Sequence, residues 1–297
     1  MTSLAVVTGA TGMIGKRIVD MLLERGINVR ILTRNQSYKN SKVEVVFGEL
    51  SNSKICSQLL KNAEYVFHCA AELNNEEKMY QTNVEGTQQL MQNLDNDHVK
   101  YICYLSSVGV IGKFNGITAD ETTVCSPLNQ YEITKLKAEV FVQNFKSSAR
   151  VVILRPTNVI DKKKNALTDL SKAKIFLKGG EHAHIVHAED VAAAAMYFLD
   201  HPASQNPDCY IVSYDNEQMN TVAGCLALCE AIKKKSSLEK TKPLPHLPWV
   251  VPYLIRRLSK GECNRSDVRY SPAKLLSTGF KYIRGFNGAL REISENT

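Results

Sequence analysis

Three side chains carry the clearest chemistry in this sequence: Ser107, Tyr131 and Lys135. Tyr131 and Lys135 stand four apart in Tyr131-Glu-Ile-Thr-Lys135, at the head of a stretch that continues Leu136-Lys-Ala-Glu-Val-Phe141 and reads as helix. At that spacing two helical side chains share one face, one turn apart. A phenol titrates near about 10 in solution and is a poor base at neutral pH. A neighbouring ammonium stabilises the phenolate and draws the value down. The pair therefore reads as a proton-transfer couple. Ser107 lies in Leu105-Ser106-Ser107-Val108-Gly109, after an apolar run, and its hydroxyl can orient a substrate oxygen toward the tyrosine, with Ser106 as the alternative. Taken alone, a tyrosine and a lysine at this spacing also describe an exposed surface pair, so the surrounding elements decide.

The first of those elements is the N-terminus. Leu4-Ala-Val-Val7 is a short β-branched run suited to a buried strand, and it enters Thr8-Gly9-Ala10-Thr11-Gly12-Met13-Ile14-Gly15 directly. Lys16 to Arg25 then places Ile18, Val19, Leu22 and Leu23 on one helical stripe, with Gly26 as its C-cap. Strand, glycine turn and helix in this order form a dinucleotide-binding fingerprint. Gly9 permits the tight turn, Gly12 lets the backbone approach a pyrophosphate, and Gly15 lets the helix pack on the strand. The free N–H groups at the helix start face the phosphate charge. Gly9, Thr11, Gly12, Met13 and Ile14 are accordingly the expected cofactor-binding residues of the turn.

A second strand, Gly26 to Thr33, ends in Arg34, where an NAD-binding turn would carry an acid about 20 residues after the glycines. A guanidinium pairs with a 2′-phosphate that a carboxylate would repel, so Arg34 favours NADP(H) over NAD(H). Further strands are expected at 43–47, 63–69, 99–105, 150–154 and 209–212, with helices between them. His68, inside the fourth, reads as a core histidine with one satisfied nitrogen. The alternation predicts an α/β fold: a Rossmann-like doubly wound parallel sheet with a smaller C-terminal substrate-binding lobe. The core would span 1–160 and the lobe 161–297, with 185–212 returning to the core.

Bulk properties narrow the function classes. A chain of 297 residues, 44% of them hydrophobic, can bury a large core, and no apolar run approaches the roughly 20 residues of a membrane span. Strand-forming sequence begins at once, without signal-peptide architecture. The 8 cysteines are scattered; Cys225 and Cys229 are close but lack a second pair, so the expectation is reduced core thiols, no metal and a cytoplasmic protein. The net charge of +7 is spread over separate clusters without a nucleic-acid-binding motif.

The glycine turn, the serine at the strand end, Tyr131-x-x-x-Lys135 and Arg155-Pro156-Thr157-Asn158-Val159, in this order, resemble the extended branch of the short-chain dehydrogenase/reductase superfamily. That branch includes nucleotide-sugar epimerases, dehydratases and ketoreductases, and the similarity runs from the start to about residue 200. It implies Ser107, Tyr131 and Lys135 as catalytic residues, the last two also touching the cofactor through the ribose. Ser107 is preferred because it precedes Gly112 as in the related Ser-x-x-x-x-Gly strand ends. The resemblance places Glu49 and Leu50 at the adenine, Ala70 and Ala71 in a turn under the cofactor, and Pro156, Asn158 and Val159 beside the nicotinamide carboxamide. Thr82 to Thr87 resembles a family helix whose asparagine, here Asn83, braces the next strand. His187 to Ala192 resembles another family segment, in which Asp190 serves as cap or ligand.

The implied reaction is NADPH-dependent reduction of a carbonyl, with a nucleotide-activated 4-keto-6-deoxy sugar as first substrate and Tyr131 as proton donor. A nucleotide-sugar epimerase, an enzyme of hydrophobic steroid- or flavonoid-type ketones or alcohols, and a non-catalytic dinucleotide sensor stay open. Asp120-Glu121 lies out of place for a dehydratase. Lys162 to Lys164, Arg256, Arg257, Arg265 and Arg269 would hold a pyrophosphate or form a solvated charged face. The proline-studded stretch 243–255 would serve as a lid, a membrane or partner contact, or packing at the lobe edge. A homodimer is expected, and no nucleic acid.

Overall fold

The computed structural model describes residues 3–163, 167, 170–260 and 263–295. β1 (Leu4–Thr8) passes through the glycine turn into α1 (Met13–Glu24), followed by β2 (Asn28–Thr33), β3 (Glu44–Phe47), α2 (Ser53–Leu60) and β4 (Tyr65–His68). α3 (Glu76–Met79) continues through a π-helical stretch, Tyr80–Glu85, into α4 (Gly86–Gln92) and then β5 (Tyr101–Leu105). A 3-10 turn at Val108–Ile111 precedes β6 (Thr118–Ala119), α5 (Gln130–Asn144), β7 (Arg150–Pro156) and β8 (Asn158–Ile160). Next come α6 (Lys172–Lys178), β9 (Ile185–His187), α7 (Ala188–Asp200) and β10 (Asp208–Val212). The last elements are α8 (Val222–Lys233), α9 (Val250–Lys260), β11 (Arg269–Tyr270), α10 (Ala273–Ser277) and α11 (Gly285–Ser294).

The main sheet has seven strands in the order β10-β7-β5-β4-β1-β2-β3. The pairings from β3 across β2, β1, β4 and β5 to β7 are all parallel. The chain thus winds outward from β1 to β3, then returns to the other side of β1 at β4. This is the doubly wound arrangement the sequence predicts, and its switch point lies between β1 and β4, the place where such sheets receive ligands. The second strand begins at Asn28 rather than Gly26, because Gly26, at φ +71°, serves the turn that ends α1. The sixth predicted strand runs on to Pro156. A proline is tolerated there because it is the last strand residue, where a missing N–H breaks no central ladder.

The residues fall into two compact units: Met1–Val110, Pro127–Arg155 and Val191–Tyr210 in the first, and Ile111–Ser126, Pro156–Asp190 and Ile211–Thr297 in the second. In the first, Val6, Leu32, Val66, Ile102 and Ile153 of the sheet pack with Leu59, Leu90 and Val142 of the helices. Burial on both faces is what continuous apolar strands of a parallel sheet require. The second unit holds two short parallel pairs, β8 with β9 and β6 with β11, and α8 packs on α11. Asp190 organises this unit: its carboxylate accepts the Tyr214 hydroxyl and the backbone N–H groups of Ile283 (2.7 Å), Arg284 (2.8 Å) and Gly285 (2.9 Å). The aspartate therefore caps α11, at the far end of the chain, in addition to lying in the first turn of α7.

Candidate active site

The glycine turn is built for close approach. Gly9 sits at φ +67°, and a Cβ there would meet Ala70 N at 2.7 Å. A Cβ on Gly15 would meet Gly9 O at 2.2 Å, so the third glycine packs on the turn itself rather than on the strand beyond it. Gly12 is the N-cap of α1 and supplies no side-chain cap, and the first helical turn contains no acid. The N–H groups of that turn are left to an external acceptor, and the cradle fits an anionic dinucleotide. Thr11 and Gly12 are exposed, Met13 is half-buried and Ile14 is buried.

At the end of β2 Arg34 is exposed, and an Asx turn follows it: Asn35 N–H donates to Thr33 Oγ1 (3.1 Å) and Ser37 N–H to Asn35 Oδ1 (3.0 Å). The N–H groups of Asn74 and Asn75 hold the Glu72 carboxyl below its usual range, and the charge of Arg34 adds to their effect. Glu49 is exposed after β3 and Leu50 is buried, while Ala70 and Ala71 follow β4, half-buried. Because β1 to β5 run parallel, the glycine turn, Arg34, Glu49, Ala70, Ala71 and Ser107 all stand at one edge of the sheet.

α5 brings the tyrosine and lysine to the first unit. Asn129 caps it through Glu132 N–H (3.0 Å), and Glu132 reaches back to Leu128 N–H (2.7 Å). Ser107 Oγ accepts the Gly109 N–H at 3.1 Å and lies close enough to the Tyr131 phenol to act on its titration. Lys135 is only 2% exposed; its Nζ donates to Leu105 O at 2.6 Å and lies 4.3 Å over the Tyr104 ring. Here the structure corrects an expectation. The phenol of Tyr131 is pushed up to about 12 by burial, with the neighbouring Ser107 hydroxyl working the other way. Lys135 does not bring it down, because its own ammonium is turned to the Leu105 carbonyl and burial lowers it to about 7. A neutral phenol at pH 7 is a proton donor, not a base.

Two buried polar clusters hold this arrangement. Asn83 Oδ1 accepts Glu72 N–H (2.7 Å), and its Nδ2 donates to Glu72 O and to Thr134 Oγ1, both at 3.1 Å. The asparagine thus braces the loop after β4 and α5 together, where the resemblance implied the strand alone. His68 uses both nitrogens, not one: Nδ1 pairs with Thr8 Oγ1 (2.7 Å) and Nε2 with Thr87 Oγ1 (2.8 Å). Behind α5, Glu139 accepts from Ser106 Oγ (2.5 Å), Gln143 Nε2 (3.1 Å) and Arg155 Nη2 (2.5 Å). Sequence reasoning missed Glu139, and it named Arg155 within a motif without its partner. The signal was present, since Tyr131, Lys135 and Glu139 repeat at i, i+4 along one face.

Pro156, Asn158 and Val159 belong to the second unit. There Asn158 N–H donates to His184 O (2.7 Å) and its Nδ2 to Ala183 O (2.9 Å), so the side chain braces β8. The arginines expected to hold a pyrophosphate have partners inside the same unit. Arg256 binds Glu181 and Ser266 Oγ, and Arg265 makes a two-pronged pair with Asp267 at 2.8 and 2.7 Å. Arg257 reaches Tyr253 Oη (3.0 Å) and Arg269 reaches His182 Nε2 (3.4 Å). Lys162 and Lys163 are exposed, and Lys164 lies outside the described residues.

Residues 5–213 match the NAD-dependent epimerase/dehydratase family. The mouse sterol-4-alpha-carboxylate 3-dehydrogenase, decarboxylating, is 26% identical over 219 residues, which cover 64% of this chain and 60% of the mouse enzyme. This chain is 23% identical over 264 residues to an Escherichia coli O157:H7 4-epimerase of N-acetyl-alpha-D-glucosaminyl-diphospho-undecaprenol, covering 84% of this chain and 76% of that one. The crystal structure of UDP-glucose 4-epimerase from Thermotoga maritima superposes with a TM-score of 0.72 at 20% identity, over 99% of this chain and 98% of that one. With the glycine turn, the parallel sheet and the tyrosine and lysine of α5 already in place, the chain belongs to the NAD-dependent epimerase/dehydratase family, of the extended short-chain dehydrogenase/reductase type.

Proposed function

We propose that the protein is an oxidoreductase that interconverts a ketone and a secondary alcohol, working as an NADPH-dependent reductase. The bound dinucleotide supplies the hydride that goes to the carbonyl carbon. Tyr131 gives its phenolic proton to the carbonyl oxygen, Ser107 orients that oxygen, and Lys135 holds the ribose hydroxyls of the dinucleotide. The turn residues Gly9, Thr11, Gly12, Met13 and Ile14, with Glu49, Leu50, Ala70 and Ala71, hold the dinucleotide, and Arg34 pairs with its 2′-phosphate. The family resemblance assigns Pro156, Asn158 and Val159 to the nicotinamide carboxamide. The observation that carries the reading is that α5, tied to the end of β5 through Lys135 Nζ and Leu105 O, sets Tyr131 beside Ser107, where burial keeps the phenol protonated.

The first substrate class is a nucleotide-activated 4-keto sugar, in keeping with the sugar epimerases among its relatives. A second reading, a hydrophobic ring alcohol or ketone, is favoured by one observation: Arg256 and Arg265 are already neutralised by Glu181 and Asp267, which leaves them poor ligands for a pyrophosphate. Following NADPH oxidation with nucleotide 4-keto sugars beside apolar ring ketones tests both. Turnover of either set assigns the class. If no ketone is reduced and no secondary alcohol oxidised, the enzymatic reading gives way to a dinucleotide sensor.

A further inference from the structure

α9 is amphipathic in the reverse sense. Its sequence, Val-Val-Pro-Tyr-Leu-Ile-Arg-Arg-Leu-Ser-Lys, contains no acid. At about 100° per residue, Val250, Leu254, Ile255 and Leu258 fall within an arc of roughly 140°. A surface helix of a globular protein turns such a stripe to the core. Here Leu258 is 88% exposed and Leu254 and Ile255 are each 49% exposed, whereas Pro252 is buried and Arg256 is turned to Glu181 and Ser266. Phe176 of α6, which packs on α9, is also 50% exposed and extends the patch. Within α9, Pro252 and Arg256 are the side chains turned inward, so packing at the lobe edge describes that side of the helix alone.

The exposed charged side chains described on α6 and α9 are all basic. Lys172, Lys174 and Lys178 of α6 and Arg257 of α9 are exposed, and α6, like α9, contains no acid. Trp249 and Tyr253 lie at the base of α9, with Arg265 stacked 4.7 Å over the indole. No helix among the described residues is long and apolar enough to cross a membrane. An apolar stripe rimmed by cations and aromatics has the composition of a helix that lies in the plane of an anionic bilayer surface. A second copy of this face would instead oppose cation to cation.

We propose that α9, together with Phe176, is a peripheral membrane-binding surface that inserts Val250, Leu254, Ile255 and Leu258 into a bilayer bearing anionic headgroups. Flotation of the full chain with vesicles tests it, using phosphatidylcholine alone or with about one-third phosphatidylserine. The protein should float with the anionic vesicles, bind the neutral ones less, and be released by salt. Leu254→Ser with Leu258→Ser should lower the vesicle-bound fraction about tenfold or more, because the lost contacts are apolar. Its melting temperature should not fall, since both side chains are exposed in the folded chain. Absence of flotation on every vesicle, or a double variant that floats like the parent, overturns the proposal. So does a concentration-dependent dimer that the same double variant abolishes without any vesicle binding, which would assign the face to a second copy.

Discussion

A single hydroxyl separates the proposed donor from an inert ring. Tyr131→Phe keeps the packing of α5, so it should retain fold and cofactor binding while turnover falls by roughly 10²-fold or more, the range of general acid catalysis. Stopped-flow or steady-state NADPH oxidation beside a cofactor titration reads both quantities. Near-normal turnover would remove Tyr131 from the mechanism. The neighbouring strand residues Tyr101 and Tyr104 are poor substitutes, since both are almost fully buried and burial holds their hydroxyls well above the usual phenol range. Arg34 carries a separate expectation. NADPH should bind at least about tenfold more tightly than NADH, and Arg34→Ala should level the two. Equal affinities in the parent, measured by fluorescence titration, would favour NAD(H) and with it the epimerase reading.

At the scale of elements, α5 is held by the buried pair that sequence reasoning overlooked. Arg155, at the end of β7, is 4% exposed and Glu139 is fully buried. Glu139→Ala would leave a buried guanidinium without its carboxylate, a loss of about 3–5 kcal/mol, whereas replacing both partners with Met should be far milder. Urea unfolding of the single and double variants measures the difference; equal losses would mean the pair does not anchor the helix. Most elements were legible. The glycine turn, the strand runs and the helix stripe of α1 each repeat with the period of the structure they adopt. What was not legible were the side-chain partners. Nothing in the local pattern near Lys135 tells that its ammonium will meet Leu105 O, because that depends on how deeply α5 is buried.

For the molecule as a whole, Lys135, the residue proposed to serve the reaction, carries a cost in stability. Unfolded, it keeps its proton up to about 10.5; folded, only to about 7. Between those values the unfolded chain binds the extra proton, so this residue's contribution to stability rises with pH across the window. Below about 7 its penalty is complete. Lys135→Met should therefore melt several degrees higher at pH 6, with the gain shrinking toward pH 10, while activity is lost. A gain independent of pH would show that burial of the charge is not its source. The second unit was the less legible half. Its elements are short, and its order comes from long-range polar contacts such as Asp190 to α11, which leave no periodic trace. The apolar stretch 243–255 misleads for a related reason. Hydrophobicity along the chain does not reveal that α9 turns its stripe outward.

The contacts of His68 fix a direction as well as a place. The Thr87 hydroxyl gives its hydrogen to Asn83 O (2.6 Å), so the imidazole must supply the proton between Nε2 and Thr87. On the other side Thr8 Oγ1 receives the Ala70 N–H (3.2 Å) and must give its own hydrogen to Nδ1. Only one neutral tautomer satisfies every atom, and burial, with the charge of Lys135 added, lowers its pKa to about 3. Among the 7 histidines of the chain this one should be spectroscopically silent. In a 15N-edited titration its Nδ1 should keep the shift of an unprotonated nitrogen from pH 9 to 5, while exposed imidazoles move. Movement in that range would mean that the joint between the glycine turn and α4 opens to solvent.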